Sequence, residues 1–354
     1  MLAVSAGIAA ALLLAVGAGP SVRAEQAAGR CRWHIDPHRV RAALYGLAAV
    51  SSRNVWAVGY TESGERFALH WLGTGWKSVD VPERNPGELW AVAFATARDG
   101  WAVGGGAPAE AIYRWDGSRW IIVPSADTEK PRVVFWDVAV LGRRNAWAVG
   151  LSAPSSTGGP GRSLVEHWNG VRWEVASTPD VGQSQFNAVA PISPNDVWAV
   201  GNHLNDTLIE HWDGKRWKVI PNPAAPHGAL IDIAALSARD IWAVGATGSD
   251  QNPKPLLEHW DGAKWRRIAA PVRRGSLESV AALSSRDIWV SGGSIPGGPI
   301  VQRRLGTKWH NTRPPHLKQQ YTLLIAAAGK NDIWATGEVE TTADPNWAIE
   351  HFRC

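Results

Sequence analysis

One short segment, typified by LSARDIWAVG from Leu236, recurs seven times along the 354-residue chain. Its tryptophan returns every 44 to 51 residues, at Trp56, Trp101, Trp147, Trp198, Trp242, Trp289 and Trp334. A second segment of the form HWDGKRW follows the first in six of the seven copies. Repetition at this spacing is typical of propellers and solenoids, in which each repeat is one supersecondary unit.

Each repeat divides into four apolar stretches, which the fifth repeat shows as LIDIAALS, DIWAVG, PLLEHW and KWRRIAAP. Valine, isoleucine and tryptophan dominate them, and these residues favour strands. The Asp-Gly or Asn-Gly pair between the third and fourth stretches is a strong signal for a tight hairpin. The sequence therefore predicts an all-β fold, a seven-bladed β-propeller with four antiparallel strands per blade. A β-solenoid is the alternative fold.

The seventh repeat stops at EHFRC, before a fourth strand. The segment RCRWHIDPHR near the start resembles the fourth-strand segment KRWKVIPNP, with Trp33 aligned to Trp217. We therefore expect the N-terminal strand to complete the last blade. In this alignment Cys31 and Cys354, the only cysteines, flank the same hairpin turn, which predicts a disulfide that locks the ring. The alternative is a pair of free buried thiols.

The N-terminus has no charge from Leu2 to Val22 and ends in the small-x-small pattern Val22-Arg23-Ala24. This pattern predicts a signal peptide at residues 1–24 and one propeller domain at residues 25–354. An uncleaved membrane anchor is the alternative. We expect a secreted, extracellular monomer with no membrane insertion after signal cleavage.

The charge balance, 36 basic against 32 acidic residues, is only weakly positive. Nucleic-acid binding calls for a dense basic stripe, so a nucleic-acid partner is not expected. Basic clusters such as Lys264–Arg267 are interpreted as solvated strand ends.

Five histidines share one repeat position: His70, His167, His211, His259 and His351. Because blades radiate from an axis, these side chains cannot converge on one metal ion at about 2 Å. We expect each histidine to be buried and hydrogen-bonded within its own blade, and the Asp or Asn before each repeated tryptophan to be a turn residue. No metal, cofactor or nucleophile motif is present.

Function is expected where the blades differ. At the entry to the first strand, one position reads Tyr45, Trp90, Trp136, Asn187, Ile231, Glu278 and Leu323 across the seven repeats, hereafter the mouth residues. The next position includes Asp137 and Asp232. Aromatic faces beside carboxylates and an amide suit a sugar. The alternative is ordinary packing between blades. Three loops also vary between blades: LSAPSSTGGPGRS after Gly150, ATGSDQNPKP after Gly245 and EVETTADPN after Gly337.

The unit DIWAVG…LEHWDGxxW resembles the repeats of secreted bacterial seven-bladed propellers in the kelch or galactose-oxidase-like group. The resemblance spans Cys31 to Cys354 and implies the architecture but no activity. The leading hypothesis is a non-enzymatic propeller that binds a glycan or cell-envelope component on its loop-rich face through Tyr45, Trp90, Trp136, Asn187, Asp137, Asp232 and Glu278. A protein-binding scaffold is the second hypothesis. A polysaccharide hydrolase or lyase using Asp137, Asp232 and Glu278 is the third.

Overall fold

The computed structural model describes residues 31–35, 40, 42–82, 87–105, 111–126, 132–154, 160–249, 251–294, 298–312, 314, 324–339 and 346–354. The predicted signal peptide at residues 1–24 and the mouth residue Leu323 lie outside these ranges. The described residues form strands and turns with no helix. Accordingly, no described segment is an apolar helix of the length that crosses a bilayer.

In chain order the strands are β1 (Arg32–Ile35), β2 (Ala42–Ser51), β3 (Asn54–Thr61), β4 (Arg66–Trp71), β5 (Trp76–Ser78), β6 (Glu88–Thr96), β7 (Asp99–Gly105), β8 (Ala111–Trp115), β9 (Trp120–Ile122), β10 (Arg132–Gly142), β11 (Asn145–Ala153), β12 (Arg162–Trp168), β13 (Trp173–Val175), β14 (Ser184–Ser193), β15 (Asp196–His203), β16 (Asp206–Trp212), β17 (Trp217–Val219), β18 (Ala229–Ser237), β19 (Asp240–Ser249), β20 (Asn252–Trp260), β21 (Trp265–Arg267), β22 (Ser276–Ser284), β23 (Asp287–Ser294), β24 (Gly298–Leu305), β25 (Lys308–Asn311), β26 (Leu324–Gly329), β27 (Asp332–Val339) and β28 (Asn346–Arg353).

These strands form five separate four-stranded antiparallel sheets and one eight-stranded sheet. The eight-stranded sheet joins the strands of the second and third sequence repeats, β6–β9 and β10–β13, through one residue pair, Val134 with Gly105. Within each repeat the strands follow one another in simple up-and-down order. The prediction of an all-β propeller is confirmed.

The N-terminal strand completes the last sheet, as predicted. β1 pairs with β28, with Arg32 opposite Arg353 and Trp33 opposite Phe352. Cys31 and Cys354, 323 residues apart, form the predicted disulfide at the end of this pair. The two chain ends are therefore tied together by both a strand ladder and a covalent bond.

Neighbouring sheets are held together by tryptophan. Trp56 packs edge-on against Trp115 and Trp120 of the next repeat, at ring-centroid distances of 4.8 and 5.5 Å. The last repeat makes the same contact with the first, because Trp334 lies 5.2 Å from Trp71 and 5.6 Å from Trp76. This final contact closes the ring, so the β-solenoid alternative is wrong.

The residue two positions before the repeated tryptophan is a hydrogen-bond acceptor, which corrects its interpretation as a turn residue alone. The Oδ1 atom of Asp196 accepts from Trp198 Nε1 at 3.0 Å and from His211 Nε2 at 2.8 Å. The imidazole of His211 also stacks on Trp198, 4.3 Å between centroids. The acceptor–histidine bond recurs at His70, His259 and His351. The prediction of histidines hydrogen-bonded within their own repeats is thus confirmed at these four positions. It is wrong at His167, whose Nε2 has no partner among the described residues, and all five histidines are half-buried and not fully buried.

Arginine replaces histidine in the second and sixth repeats and keeps the contact with the acidic residue, although the indole N–H groups of Trp101 and Trp289 have no hydrogen-bond partner among the described residues. Arg114 and Arg303 form ion pairs with Asp99 and Asp287 at 3.0 and 2.7 Å. Their guanidinium groups lie over the repeated tryptophans, at 5.5 Å from Trp101 and 5.0 Å from Trp289. A flat cation on the ring face takes the place of the imidazole, as a cation–π contact allows.

A buried glutamate precedes the histidine in four repeats, and its surroundings differ between them. Glu166 accepts hydrogen bonds from the Ser125 hydroxyl at 2.7 Å and from the Ala126 N–H. Glu210 is equally buried, yet neither of its carboxyl oxygens has a partner among the described residues. Burial raises the pKa of Glu210 to about 8.

We expect Cys31→Ser to lower the melting temperature under non-reducing conditions. In the chain-entropy model, a disulfide that closes a loop of 323 residues adds about 5–6 kcal/mol to the free energy of unfolding, less any strain in the native state. Thermal unfolding with and without reductant measures the effect, and the Cys31→Ser/Cys354→Ser double variant should match the single one. An unchanged melting temperature, or labelling of both thiols in unreduced unfolded protein, would contradict this prediction.

We expect Glu210→Gln to stabilise the protein at pH 8 and to change little at pH 4.5. The raised pKa means that the folded chain keeps a proton that the unfolded chain releases, so stability falls as pH rises from about 4.5 to about 8. The slope in that window approaches about 1.4 kcal/mol per pH unit. Urea unfolding across this range measures it. The control Glu166→Gln should destabilise, because that carboxylate is hydrogen-bonded; equal behaviour of the two variants would disprove the assignment.

Candidate functional site: the axial cavity

A cavity of about 390 Å³ lies where the first strands of all the repeats meet. β2, β6, β10, β14, β18, β22 and β26 each contribute residues to its wall. All six mouth residues in the described part of the chain line it: Tyr45, Trp90, Trp136, Asn187, Ile231 and Glu278. Asp137 and Asp232 line it as well, so one cavity contains every ligand-binding residue predicted from the sequence.

A β-bulge positions each mouth residue. In β2 the pairing with β3 jumps from Leu44 to Gly46, so Tyr45 is the extra residue of the ladder. The same shift falls at Trp90, Trp136, Asn187, Ile231 and Glu278. An extra residue is released from the regular alternation of the strand, and bulges commonly redirect a side chain next to a functional site. All six side chains are half-buried, whereas the residue before each one is fully buried.

The glycine that ends each WAVG segment makes room for this bulge. A Cβ on Gly59 would lie 1.7 Å from the carbonyl oxygen of Ala43, two residues before Tyr45. Gly104 and Gly150 stand in the same relation to the carbonyls of Glu88 and Val134, at 1.8 and 1.9 Å. Glycine inside a strand marks such close backbone approaches. The repeated glycine is therefore a sequence signal for the bulge, although the bulge was not among the features predicted from the sequence.

The three aromatic mouth residues form a continuous arc. Tyr45 and Trp90 lie 4.5 Å apart between ring centroids, and Trp90 and Trp136 lie 5.0 Å apart in an edge-to-face arrangement. Tyr60 stacks on the outer side of Tyr45 at 5.7 Å, and buried Trp347 packs against Tyr45 at 5.6 Å. The arc is thus supported from behind while its own rings stay partly exposed.

The next repeats supply polar groups to the same cavity. Asn187 accepts a hydrogen bond from Gln185 Nε2 at 2.8 Å and donates one to the carbonyl of Leu230 in the following sheet at 2.7 Å. Because a carbonyl can only accept, the Asn187 amide nitrogen must face Leu230. Burial raises the pKa of Glu278, and a hydrogen bond with Ser276 partly offsets this rise. The wall therefore carries an oriented amide and a carboxyl group with a raised pKa.

Asp137 and Asp232 tie neighbouring sheets together. Asp137 accepts from the N–H of Val138 at 2.8 Å and from the N–H of Val189 in the following sheet at 2.9 Å. Asp232 repeats this arrangement with Ile233 and Val280, at 2.8 and 2.7 Å. Burial raises the pKa of Asp137 to about 8 and that of Asp232 to about 6, although these N–H donors oppose the rise. Both oxygens of each carboxyl group are already engaged by backbone.

The three variable loops predicted from the sequence differ in how much of each the structure describes. The segment ATGSDQNPKP is mostly strand, because β19 and β20 extend as a hairpin out to the pair of Ser249 with Asn252. The other two loops contain residues 155–159 and 340–345, which lie outside the described ranges. The described residues contain no cluster of three or more side chains suited to hold a metal ion.

Comparison with known proteins supports the fold alone. No protein-family model and no curated protein matches the chain. Among solved structures, YCF48 bound to D1 peptide is similar with a TM-score of 0.60 at 14% identity, over 92% of this chain and 96% of that chain. U3-55K gives a TM-score of 0.61 at 11% identity, over 91% and 98%. A six-bladed lectin from Aleuria aurantia gives 0.50 at 11% identity, over 80% and 96%. None of the three is named as a kelch protein or a galactose oxidase, so they lend no support to that predicted relationship.

We expect Asp137→Asn to destabilise the protein by about 1–3 kcal/mol at pH 6, where the raised pKa of about 8 keeps the wild-type carboxyl group protonated and both of its oxygens can accept an N–H. The amide oxygen can accept one N–H, but the amide nitrogen would then face the other N–H donor. Denaturant unfolding measures the loss. The matched control is Glu278→Gln, which makes the same acid-to-amide change in the same cavity without removing a bridge between sheets; an equal loss in the control would refute the bridging role.

Proposed function

We propose that this protein is a binding propeller that takes a carbohydrate ligand in its axial cavity. The observation that carries the proposal is the half-exposed arc of Tyr45, Trp90 and Trp136 in the same cavity as Asn187 and Glu278. Sugar C–H faces pack on aromatic rings, and sugar hydroxyls need oriented amides and carboxyls. A volume near 390 Å³ falls within the range of small-molecule sites.

The proposal takes the eight-stranded sheet as two blades, which makes seven in all. Its two halves share one residue pair, and each contributes its own first strand to the cavity. The Aleuria aurantia lectin, a six-bladed propeller with a fucose recognition mode, is a similar fold that takes a sugar. This likeness supports the proposal of a sugar ligand.

We further propose that residues 1–24 are a signal peptide and that the mature chain is secreted by a bacterium. The apolar N-terminus supports this proposal. The disulfide between Cys31 and Cys354 supports it too, because such bonds persist in oxidising compartments.

An enzymatic function is less favoured. Glycoside hydrolysis generally requires a pair of carboxyl groups, one acid and one nucleophile or base. Of the three candidates, Asp137 and Asp232 each accept two backbone N–H groups, which leaves Glu278 without a free carboxyl partner among the three. A protein-binding scaffold is the principal alternative, since one structural neighbour, YCF48, is bound to a peptide.

We expect Trp90→Ala and Trp136→Ala to abolish glycan binding, with at least a tenfold loss of affinity for any sugar selected on a glycan array. Titration calorimetry measures the loss. Because these rings are partly exposed, their removal should lower stability by less than the about 3–5 kcal/mol expected for a buried ring.

The matched control is Trp212→Ala, a half-buried tryptophan at the end of β16 that is not part of the cavity wall. Because Trp212 packs against Trp147 of the preceding repeat, this variant should lower stability more than the two cavity variants but retain binding in the folded protein. The proposal fails if all three variants bind equally well, or if the wild type binds no glycan but captures peptides.

A further inference from the structure

The face opposite the loop-rich end consists of tight turns, and we call it the turn face. Here each first strand passes into the second and each third strand into the fourth, so each of the first six repeats contributes two turns to it. The last sheet contributes the disulfide of Cys31 and Cys354 in place of its second turn. This face takes no part in the axial binding proposal, because the mouth residues lie toward the other end of the inner strands.

Five arginines occupy one position in the inner turns of this face, directly before the Asp or Asn that begins the second strand: Arg53, Arg98, Arg144, Arg239 and Arg286. All five are exposed. Within the described part of the chain none of them has an ion-pair partner. They form the inner basic ring.

Four of these arginines lie against the glycine of the outer turn in the same repeat. The Cγ of Arg239 is 2.7 Å from where a Cβ on Gly262 would be, and Arg53, Arg98 and Arg144 stand in the same relation to Gly73, Gly117 and Gly170. The stems therefore pack against the outer turns, while the arginine side chains as a whole stay exposed. Small outer-turn residues leave these charges accessible.

The outer turns carry a second set of exposed basic residues, directly before the fourth-strand tryptophan: Arg119, Arg172, Arg216, Lys264 and Lys308. The acidic residues of the same turns, Asp116, Asp213 and Asp261, are already paired with Arg119, Lys218 and Arg266. The arginines of the inner basic ring therefore give the turn face a net positive charge. The interpretation of basic clusters such as Lys264–Arg267 as solvated strand ends does not account for this charge.

Apolar side chains stand among these charges. Val171 is 81% exposed at the tip of its turn, directly before Arg172, and Leu72 and Leu305 are also exposed at outer turns. Half-buried Trp71, Trp212 and Trp260 end the third strands beside them. Basic residues mixed with tryptophan and exposed aliphatic side chains are the composition of surfaces that lie at a membrane interface.

We propose that the turn face docks on an anionic lipid bilayer, with the arginines on lipid phosphates and Leu72, Val171 and Leu305 dipping among the headgroups. The arginines lie on separate turns arranged around the axis, so a flat anionic surface can contact all of them at the same time. A linear anionic polymer would contact only the arginines that lie along one line across the face. Each basic residue near an anionic surface adds to the electrostatic attraction, and salt screens this attraction. The axial cavity would then open away from the lipid.

The test is co-sedimentation of residues 25–354, which include every described strand, with vesicles. Omitting residues 1–24 prevents the apolar N-terminus from inserting by itself. Vesicles of 30% phosphatidylglycerol in phosphatidylcholine should pellet the protein at 50 mM NaCl, and binding should fall at least tenfold at 500 mM NaCl. Pure phosphatidylcholine vesicles should pellet little.

The variant Arg98→Gln/Arg239→Gln/Arg286→Gln should lose at least tenfold in partition to anionic vesicles. The matched control, Lys254→Gln/Arg273→Gln/Arg274→Gln, removes three exposed charges from the loop-rich end and should bind like wild type. Val171→Ser should weaken binding without changing its salt dependence. Failure to pellet at 50 mM NaCl, an equal loss in both triple variants, or preference for a soluble polyanion such as heparin over the vesicles would each overturn the proposal.

Discussion

The contact between tryptophans of neighbouring sheets is the interaction on which the rest of the structure depends. The repeated tryptophan of one sheet fills the space between two tryptophans of the next, as Trp56 does against Trp115 and Trp120. Trp56, for example, is held in place by the acceptor Asn54 and by His70 stacked on it. A sheet with this design buries its faces only when it has neighbours on both sides, so the ring must close. Closure comes from Trp334 against Trp71 and from the disulfide.

The bulge in the first strand separates the packed scaffold from the cavity wall. Leu44, Leu89 and Phe135, each directly before a bulge, are completely buried and anchor the strand. The extra residue that follows is freed from the ladder and is therefore the position at which repeats can differ without loss of packing. The side chain at the position of Tyr45, Asn187 or Glu278 can thus differ between repeats while the surrounding strand pairs stay the same.

The positions along the cavity wall could be picked out from the sequence because repeats can be aligned with one another. Once the first strands are superposed in the sequence, the position of Tyr45, Trp90 and Trp136 stands out by its variation, and the structure places these residues in one cavity. The roles of Asp137 and Asp232 were not predictable in this way. Each bridges to a backbone N–H in the next sheet, at Val189 or Val280, about 50 residues along the chain, and no local pattern encodes such a partner. The loop ATGSDQNPKP was misjudged because a hairpin can extend through polar residues when its ends already pair.

Local chemistry explains what the sequence by itself determined: the four strands of each repeat, their turns, the structural use of the histidines and the return of the N-terminus to the last sheet. Strand propensity, Asp-Gly turns and the missing fourth strand are all visible in the order of residues. Only the tertiary structure decided which side chains share a cavity, which carboxyl groups are engaged, and which charges gather on one face. Those properties arise from the curvature of the ring, which brings residues of different repeats together at the axis and on the turn face.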